Sequence, residues 1–129
     1  MPSLRLAVLS GRFAVCRLPA DAAVPAWADA GGFVSVTRTA HELSVLCAEE
    51  RVPADVRSEA GFRALMLEGP FDFSAVGILA SVASPLAEGG VSLFAVSTFD
   101  TDYVLVKDER LADALRVLAA AGHAISLPS

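Results

Sequence analysis

The sequence predicts an α+β protein in which a strand–helix–strand–strand unit occurs twice. The first observation is a repeat, since FVSVTRTAHELSVLCAEERV (33–52) is similar to LFAVSTFDTDYVLVKDERL (93–111). Matching residues of the two copies are 60 positions apart before the predicted hairpin and 59 positions apart after it. We therefore expect that one residue was gained or lost in the hairpin turn. The second observation is that RFAVCRLP (12–19) resembles RALMLEGP (63–70), and both runs end in proline. These similarities predict a first unit at residues 1–61 and a second unit at 62–129.

The first half of the second unit is predicted to be a strand followed by a helix. Alternating large apolar residues predict a strand over 62–68, and Gly69-Pro70 ends it. Ser74 is a suitable N-cap for a helix over 75–88. The pair Gly89-Gly90 is typical of a helix C-terminus.

The rest of the second unit is predicted to be a hairpin, a helix and a last strand. The hairpin strands are expected at 91–98 and 102–107, and an amphipathic helix at 109–121 ends at Gly122. A short strand is expected at 124–127. The order β-α-β-β-α-β is the ferredoxin-like plan, an antiparallel sheet with helices on one face.

The first unit is predicted to be an abbreviated copy of the second. A strand over 12–19 leads to a short helix over roughly 20–30 with Pro25 near its middle, and the hairpin follows from residue 33. The segment RVPADVRSEAG (51–61) replaces the second helix. A unit without that helix closes a core poorly on its own, so the extra strand at 4–9 is expected to complete a shared sheet.

Composition and charge exclude several classes of function. Of the 129 residues, 54% are hydrophobic, and no apolar run approaches the ~20 residues that span a bilayer. The net charge is −5 and no Lys/Arg cluster is present, so neither nucleic acid nor a membrane is an expected partner. Cys16 and Cys47 lack metal-binding spacing and indicate buried thiols in a reducing cytoplasm.

No catalytic or metal-binding set is predicted. Asp100 and Asp102 are separated by one residue, but the later ligands of a calcium loop are missing, and a hairpin end offers no deep cleft for an acid/base pair. His41 and His123 have no partner at informative spacing and are predicted to lie at the surface. The sequence predicts no catalytic residue, no metal and no cofactor.

The residues of the second unit do suggest a site for a zwitterion. The N-terminus of the predicted helix at 75–88 presents free N–H groups to a carboxylate, and Gly77 allows close approach. Asp102 on the neighbouring hairpin suits an ammonium group, whereas Asp100 is predicted to serve the turn. Pro85 leaves the carbonyl of Ser81 without its helical donor, which is either a simple kink or a group available to a ligand or water.

The chain resembles the ACT-domain proteins, and more narrowly the tandem ACT proteins related to the cytosolic arginine sensors and to the regulatory region of aspartate kinases. GGFVSVTRTAHELSVLCAEE and PLAEGGVSLFAVSTFDTDYVLV carry the resemblance. It implies a ligand site that includes a loop over 73–76, the helix start after it, the neighbouring hairpin and a second wall supplied by a partner unit. The implied ligand-binding residues are Ser74, Ala75, Val76, Gly77, Ile78, Ser81, Val82 and Asp102, of which Ser81 and Val82 form the second wall. Ser97 and Thr98 are either strand-end residues or ligands, and Thr98 is included as a ninth candidate.

The resemblance also implies a non-catalytic role. We expect a regulatory or sensor protein that binds a small amino acid at an ACT–ACT interface, forms a homodimer and acts on a regulated protein partner. Ala75 stands where the arginine sensors have an acidic residue, so arginine is not specified as the ligand. The alternative is a structural module that dimerises through its sheets without a ligand.

Overall fold

The structure, a computed structural model, describes residues 3–29, 31–72 and 74–128. The chain divides into two compact units. The larger unit combines residues 1–10 with 63–129, and the smaller unit is residues 11–62. The predicted boundary near residue 61 lies close to this division, but residues 1–10 belong with the larger unit. That the two units are both ACT units stays a prediction.

Eight strands and two helices make up the described chain, and three 3₁₀ turns accompany them. The strands are β1 (Arg5–Val8), β2 (Phe13–Leu18), β3 (Ser35–Arg38), β4 (Leu43–Ala48), β5 (Ser58–Leu67), β6 (Phe94–Ser97), β7 (Asp102–Lys107) and β8 (Ala124–Ser126). The helices are α1 (Ala80–Glu88) and α2 (Leu111–Ala120), and the 3₁₀ turns are Ala26–Ala28, Glu49–Arg51 and Asp108–Arg110. No helix in the described ranges is long and apolar enough to cross a membrane.

The larger unit has the predicted β-α-β-β-α-β order, which β5, α1, β6, β7, α2 and β8 supply. Strand β7 pairs with both β5 and β6. Strand β1 pairs antiparallel with β5 and parallel with β8. These pairings explain why residues 1–10 group with this unit. The predicted α+β, ferredoxin-like class is confirmed.

One hydrophobic core holds the larger unit together. Helix α1 contributes Val82 and Leu86, and α2 contributes Leu118, all fully buried. The sheet contributes alternate residues of its strands, including Leu67 and Val104. Burying each such side chain stabilises the fold by about 1.5–3 kcal/mol, so this packing fixes the ends of the strands and helices from which any site is built.

Helix α1 begins at Ala80, five residues later than predicted. Its N-cap is Leu79, which makes no side-chain cap bond, so the prediction of Ser74 as the N-cap is wrong. The backbone N–H and the hydroxyl of Ser74 donate instead to the carboxylate of Asp72. Gly77 has φ +83°, a left-handed conformation that interrupts a right-handed helix. Residues 75–79 therefore form a turn-containing loop.

His123 is buried, so its predicted surface position is wrong. Its Nδ1 accepts the backbone N–H of Leu4 at 3.0 Å, and its Nε2 lies 2.7 Å from the carbonyl oxygen of Ser81. Since Nδ1 is an acceptor, Nε2 carries the proton and donates it to Ser81. Pro85 has no N–H to offer that carbonyl, and the imidazole takes the place of the missing helical donor.

The smaller unit is an antiparallel sheet in the order β3, β4, β2 and β5. The predicted helix over 20–30 is wrong, because residues 20–29, the described part of this stretch, contain only the 3₁₀ turn Ala26–Ala28. Pro25 lacks the N–H that a longer helix would need and stands just before this turn. The core of this unit includes Cys16, Leu43 and Cys47.

The two hairpins have the same register. Arg38 pairs with Leu43 in one, and Ser97 pairs with Asp102 in the other, an offset of 59 on both strands. The predicted one-residue insertion or deletion in the turn is therefore wrong. Both hairpins have a four-residue strand, a six-residue strand and then a 3₁₀ turn. The local repeat is closer than the sequence alignment indicated.

Candidate ligand-binding site

A small cleft lies in the larger unit between the loop that follows β5 and the β6–β7 hairpin. Its volume is about 180 Å³. Two short segments line it: Phe71, Asp72, Ala75 and Ile78 from the loop, and Ser97, Thr98, Phe99, Asp100, Thr101 and Asp102 from the hairpin. The loop follows β5 and the hairpin segment leads into β7, and both of these strands contribute side chains to the core, so the sheet fixes the positions of the two segments.

Hydrogen bonds hold the hairpin end in place. The N–H of Thr98 donates to the carbonyl of Thr101 at 2.8 Å, and the Thr98 hydroxyl accepts the N–H of Thr101 at 3.2 Å. The Thr101 hydroxyl donates to the carbonyl of Leu67 at the end of β5. The N–H of Phe71 donates to the carbonyl of Asp100 at 2.9 Å. The two walls of the cleft are thus tied to each other through the backbone.

Three carboxylates and no basic side chain are among the lining residues. The Ser97 hydroxyl donates to Oδ1 of Asp102. Asp72 is held by Ser74, whose backbone N–H and then hydroxyl lower the pKa of that carboxyl below its ordinary value. The two bonds from Ser74 therefore favour the ionised form of Asp72. The arrangement is suited to a cationic group such as an ammonium.

The cleft brings together four of the nine predicted ligand-binding residues: Ala75, Ile78, Thr98 and Asp102. Ser74, Val76 and Gly77 belong to the same loop but do not line the cleft, and the side chain of Val76 is 91% exposed. The neighbouring residue Phe73 lies outside the described residues.

The predicted second wall does not agree with the structure. Ser81 and Val82 are both buried, 2% and 0% exposed, because α1 turns them into its own unit. The Ser81 hydroxyl donates to the carbonyl of Ile78 at 2.7 Å, and its own carbonyl accepts from His123. Neither side chain is available to a partner unit.

Sequence reasoning missed Asp72, Phe71 and Phe99. The spacing Asp72-x-Ser74 is the signal that could have found the first, since an Asp commonly accepts the N–H two residues on. Asp100, predicted only as a turn residue, also lines the cleft. Phe99 is 81% exposed at the hairpin tip, where nothing in the sequence pattern distinguishes it from a buried aromatic residue.

A larger cavity of about 530 Å³ lies between α1 and α2, with Ser81, Pro85, Arg116 and His123 among its lining residues. Its two basic side chains already have partners, since His123 is bonded on both ring nitrogens and Arg116 donates to Asp113 at 3.1 Å. The smaller cleft is the better candidate because its carboxylates face no cation among the lining side chains.

The described side chains include no cluster suited to a metal ion, and both cysteines are buried. Within residues 3–29, 31–72 and 74–128, no group of three His, Cys, Asp or Glu residues is placed to hold a metal ion. Cys16 and Cys47 are buried free thiols, and burial is the main cause that raises the pKa of both. A protonated thiol is a poor nucleophile.

Two family models and one solved structure match the chain closely. The ACT domain family model matches residues 57–120, and a model for an N-terminal domain matches residues 11–55. The crystal structure of protein Atu0741 from Agrobacterium tumefaciens is 46% identical, with a TM-score of 0.95, over 100% of this chain and 96% of that one.

More distant relatives have named functions. The human cytosolic arginine sensor for mTORC1 subunit 1 is 29% identical in an alignment 92 residues long, and the alignment covers 67% of this chain and 26% of that protein. The chain thus spans about a quarter of that relative. The regulatory subunit of aspartate kinase from Thermus thermophilus has a TM-score of 0.58 at 14% identity, over 92% of this chain and 93% of that one, and shares the fold. The chain is an ACT-domain protein of the same family as Atu0741, similar to the cytosolic arginine sensors.

Proposed function

We propose that the protein is a non-catalytic, cytoplasmic regulatory module that binds a small amino acid in the cleft between the loop at 71–78 and the hairpin end at 97–102. The observation that carries this proposal is the cleft itself, in which Asp72, Asp100 and Asp102 meet no basic lining side chain. At about 180 Å³ the cleft is smaller than the roughly 300–1,000 Å³ typical of sites for drug-sized ligands, so it favours a small metabolite.

Asp102 is the residue expected to hold the ammonium group of the ligand. It is the first residue of β7, so its position is fixed by the register with Ser97. Its Oδ1 accepts from the Ser97 hydroxyl, and an ammonium would add a charge-assisted hydrogen bond. One relative supports the choice of an amino acid as ligand, since it is named as an arginine sensor. Arginine is therefore the first amino acid to test.

A second copy of the chain is proposed to close the open side of the cleft. Val76 and Phe99, 91% and 81% exposed, belong to the two segments that form the cleft. Apolar side chains beside a charged site are typical of a surface that another protein covers. Ligand bound at such an interface would favour one packing of the two copies, and a regulated protein partner would read that packing.

A thermal-shift screen of the twenty amino acids tests this proposal. At a concentration 100 times its dissociation constant, a ligand that binds only the folded state stabilises it by about 2.7 kcal/mol. Asp102→Asn keeps the size of the side chain and removes its charge, and we expect it to lose the shift. Asp55→Asn removes an exposed carboxylate of the other unit and serves as the matched control that keeps it.

Two outcomes would contradict the proposal. If no amino acid shifts the unfolding temperature at millimolar concentration, the cleft is not an amino acid site. If Asp102→Asn binds as the unmodified protein does, the ligand lies elsewhere. The same exposed apolar pair also fits a module that dimerises without ligand, which predicts a dimer by light scattering together with no shift in the screen.

A further inference from the structure

The smaller unit repeats the loop and hairpin that form the candidate cleft of the larger unit. Strand β4 pairs with β2 there, as β7 pairs with β5 in the larger unit. In both cases a loop after the first strand faces the end of a hairpin. The turns are also alike, because the N–H of Thr39 donates to the carbonyl of Glu42 at 2.9 Å and its hydroxyl accepts the N–H of Glu42 at 3.2 Å.

A guanidinium group of the chain itself lies between this loop and the hairpin. Arg38 is the last residue of β3, and its Nη2 donates to the carbonyl of Ala22 at 2.7 Å, while its Nη1 donates to the carbonyl of Ala20. The carbonyls of Ala20 and Ala22 thus accept hydrogen bonds from the two terminal nitrogens of one planar guanidinium group. The guanidinium ties the loop after β2 to the hairpin.

The equivalent position in the larger unit holds a short side chain. Arg38 pairs with Leu43, whereas Ser97 pairs with Asp102 at the same register position. A serine reaches only its cross-strand neighbour, and the cleft beside it stays open. One position therefore decides whether the space between loop and hairpin is filled.

We propose that the space between residues 20–22 and the turn at 39–42 is a guanidinium site that Arg38 fills from within, so that the smaller unit is closed to outside ligands. Removal of the Arg38 side chain exposes the carbonyls of Ala20 and Ala22 and lets a free alkylguanidinium ion bind in its place. This inference concerns the smaller unit and does not depend on the function proposed for the larger one.

Titration of ¹⁵N-labelled protein with methylguanidinium chloride tests the proposal. In Arg38→Ala we expect saturable shifts of the amide signals of residues 20–22 and 39–42. In the unmodified protein the same amides should show at least about tenfold weaker binding. Since Arg38 is exposed, the freed site competes with water, and binding should be weak enough to need this method. Urea, which has a similar shape without the charge, is the control ligand.

The outcomes separate cleanly. A folded Arg38→Ala protein without saturable shifts in these two segments overturns the proposal, and so does equal binding by the unmodified protein. If Arg38→Ala does not fold, Arg38→Gln keeps one donor amide and should bind methylguanidinium in the same segments. Shifts confined to residues 97–102 would report on the other cleft and would leave the smaller unit without the proposed site, which also overturns it.

Discussion

Replacing His123 by alanine removes a side chain that bonds two buried backbone groups. The N–H of Leu4 loses its acceptor and the carbonyl of Ser81 loses its donor. An unsatisfied buried group costs about 1–3 kcal/mol, so the two together predict a loss of about 2–6 kcal/mol in the free energy of unfolding. Domains of this size are stable by only about 5–15 kcal/mol, so the effect is large enough to measure by urea denaturation followed by circular dichroism.

A double-mutant cycle that combines His123→Ala with Pro85→Ala tests whether the imidazole replaces the missing helical donor. Residue 85 stands one helical turn after Ser81, and an alanine there has an N–H that can reach the Ser81 carbonyl. In the His123→Ala background this new donor should recover about 1–3 kcal/mol that the single variant loses. Any effect of proline on the unfolded chain occurs in both arms and cancels in the coupling energy.

The result that refutes this reasoning is additivity. If the two substitutions combine to within about 0.5 kcal/mol of their sum, the imidazole does not replace the helical donor of Ser81. His123→Gln is a useful third variant, because its amide can keep one of the two hydrogen bonds and should lose less stability than His123→Ala.

Three further predictions concern the cysteines, the loop and the cleft. Cys16 and Cys47, each 1% exposed, should resist iodoacetamide at pH 8 until the protein is unfolded. Burial raises the pKa of Cys16 from 9.0 to about 11, so the thiol ionises at lower pH in the unfolded chain than in the folded protein. The free energy of unfolding should therefore fall as pH rises from 9 to 11, and it should fall less in Cys16→Val. An equal fall in the two proteins would show that Cys16 is not the cause. Gly77→Ala should lower the free energy of unfolding by about 1–2 kcal/mol in urea denaturation, because the left-handed φ of +83° is unfavourable for alanine. Steric contact adds nothing to this cost, since a Cβ at Gly77 would meet nothing within 4 Å. An unchanged free energy would mean that the loop has a different conformation. Ser74→Ala should raise the pKa of Asp72 in an NMR titration, and an unchanged pKa would show that the Ser74 bonds do not cause the lowering. The lowered pKa of Asp72 stabilises the fold above the ordinary value of 3.8, and this contribution is lost as pH falls through the folded pKa.

The sequence predicted the strands of the larger unit well because their signals are local. The bounds of β7 agree with the predicted 102–107, and α2 ends at Ala120 before Gly122, whose φ is +98°. Alternation and glycine breakers act over a few residues and need no tertiary information. The position of Asp102 as the first residue of β7 was predicted for the same reason.

The failures share a different cause. Helix α1 begins later than predicted because the Asp72–Ser74 hydrogen bonds and the left-handed Gly77 favour a turn over a helix in this segment. The amino-acid composition of the segment does not show which of the two conformations is preferred. His123 is buried because two backbone groups distant in the sequence, at residues 4 and 81, converge on it. Such partners are set by tertiary packing and have no counterpart in the local pattern.

The two hairpins show how one framework can give opposite outcomes. Both have the same register and the same threonine turn, so the hairpin backbone does not decide which space is open. The difference lies in one cross-strand pair, Arg38 with Leu43 against Ser97 with Asp102. An arginine reaches across to the loop carbonyls, and the leucine that faces it is fully buried, whereas serine and aspartate bond each other and leave a carboxylate at the cleft. If the cleft in the larger unit binds a cationic ligand, the corresponding place in the smaller unit is filled by a cation of the chain itself, the guanidinium group of Arg38.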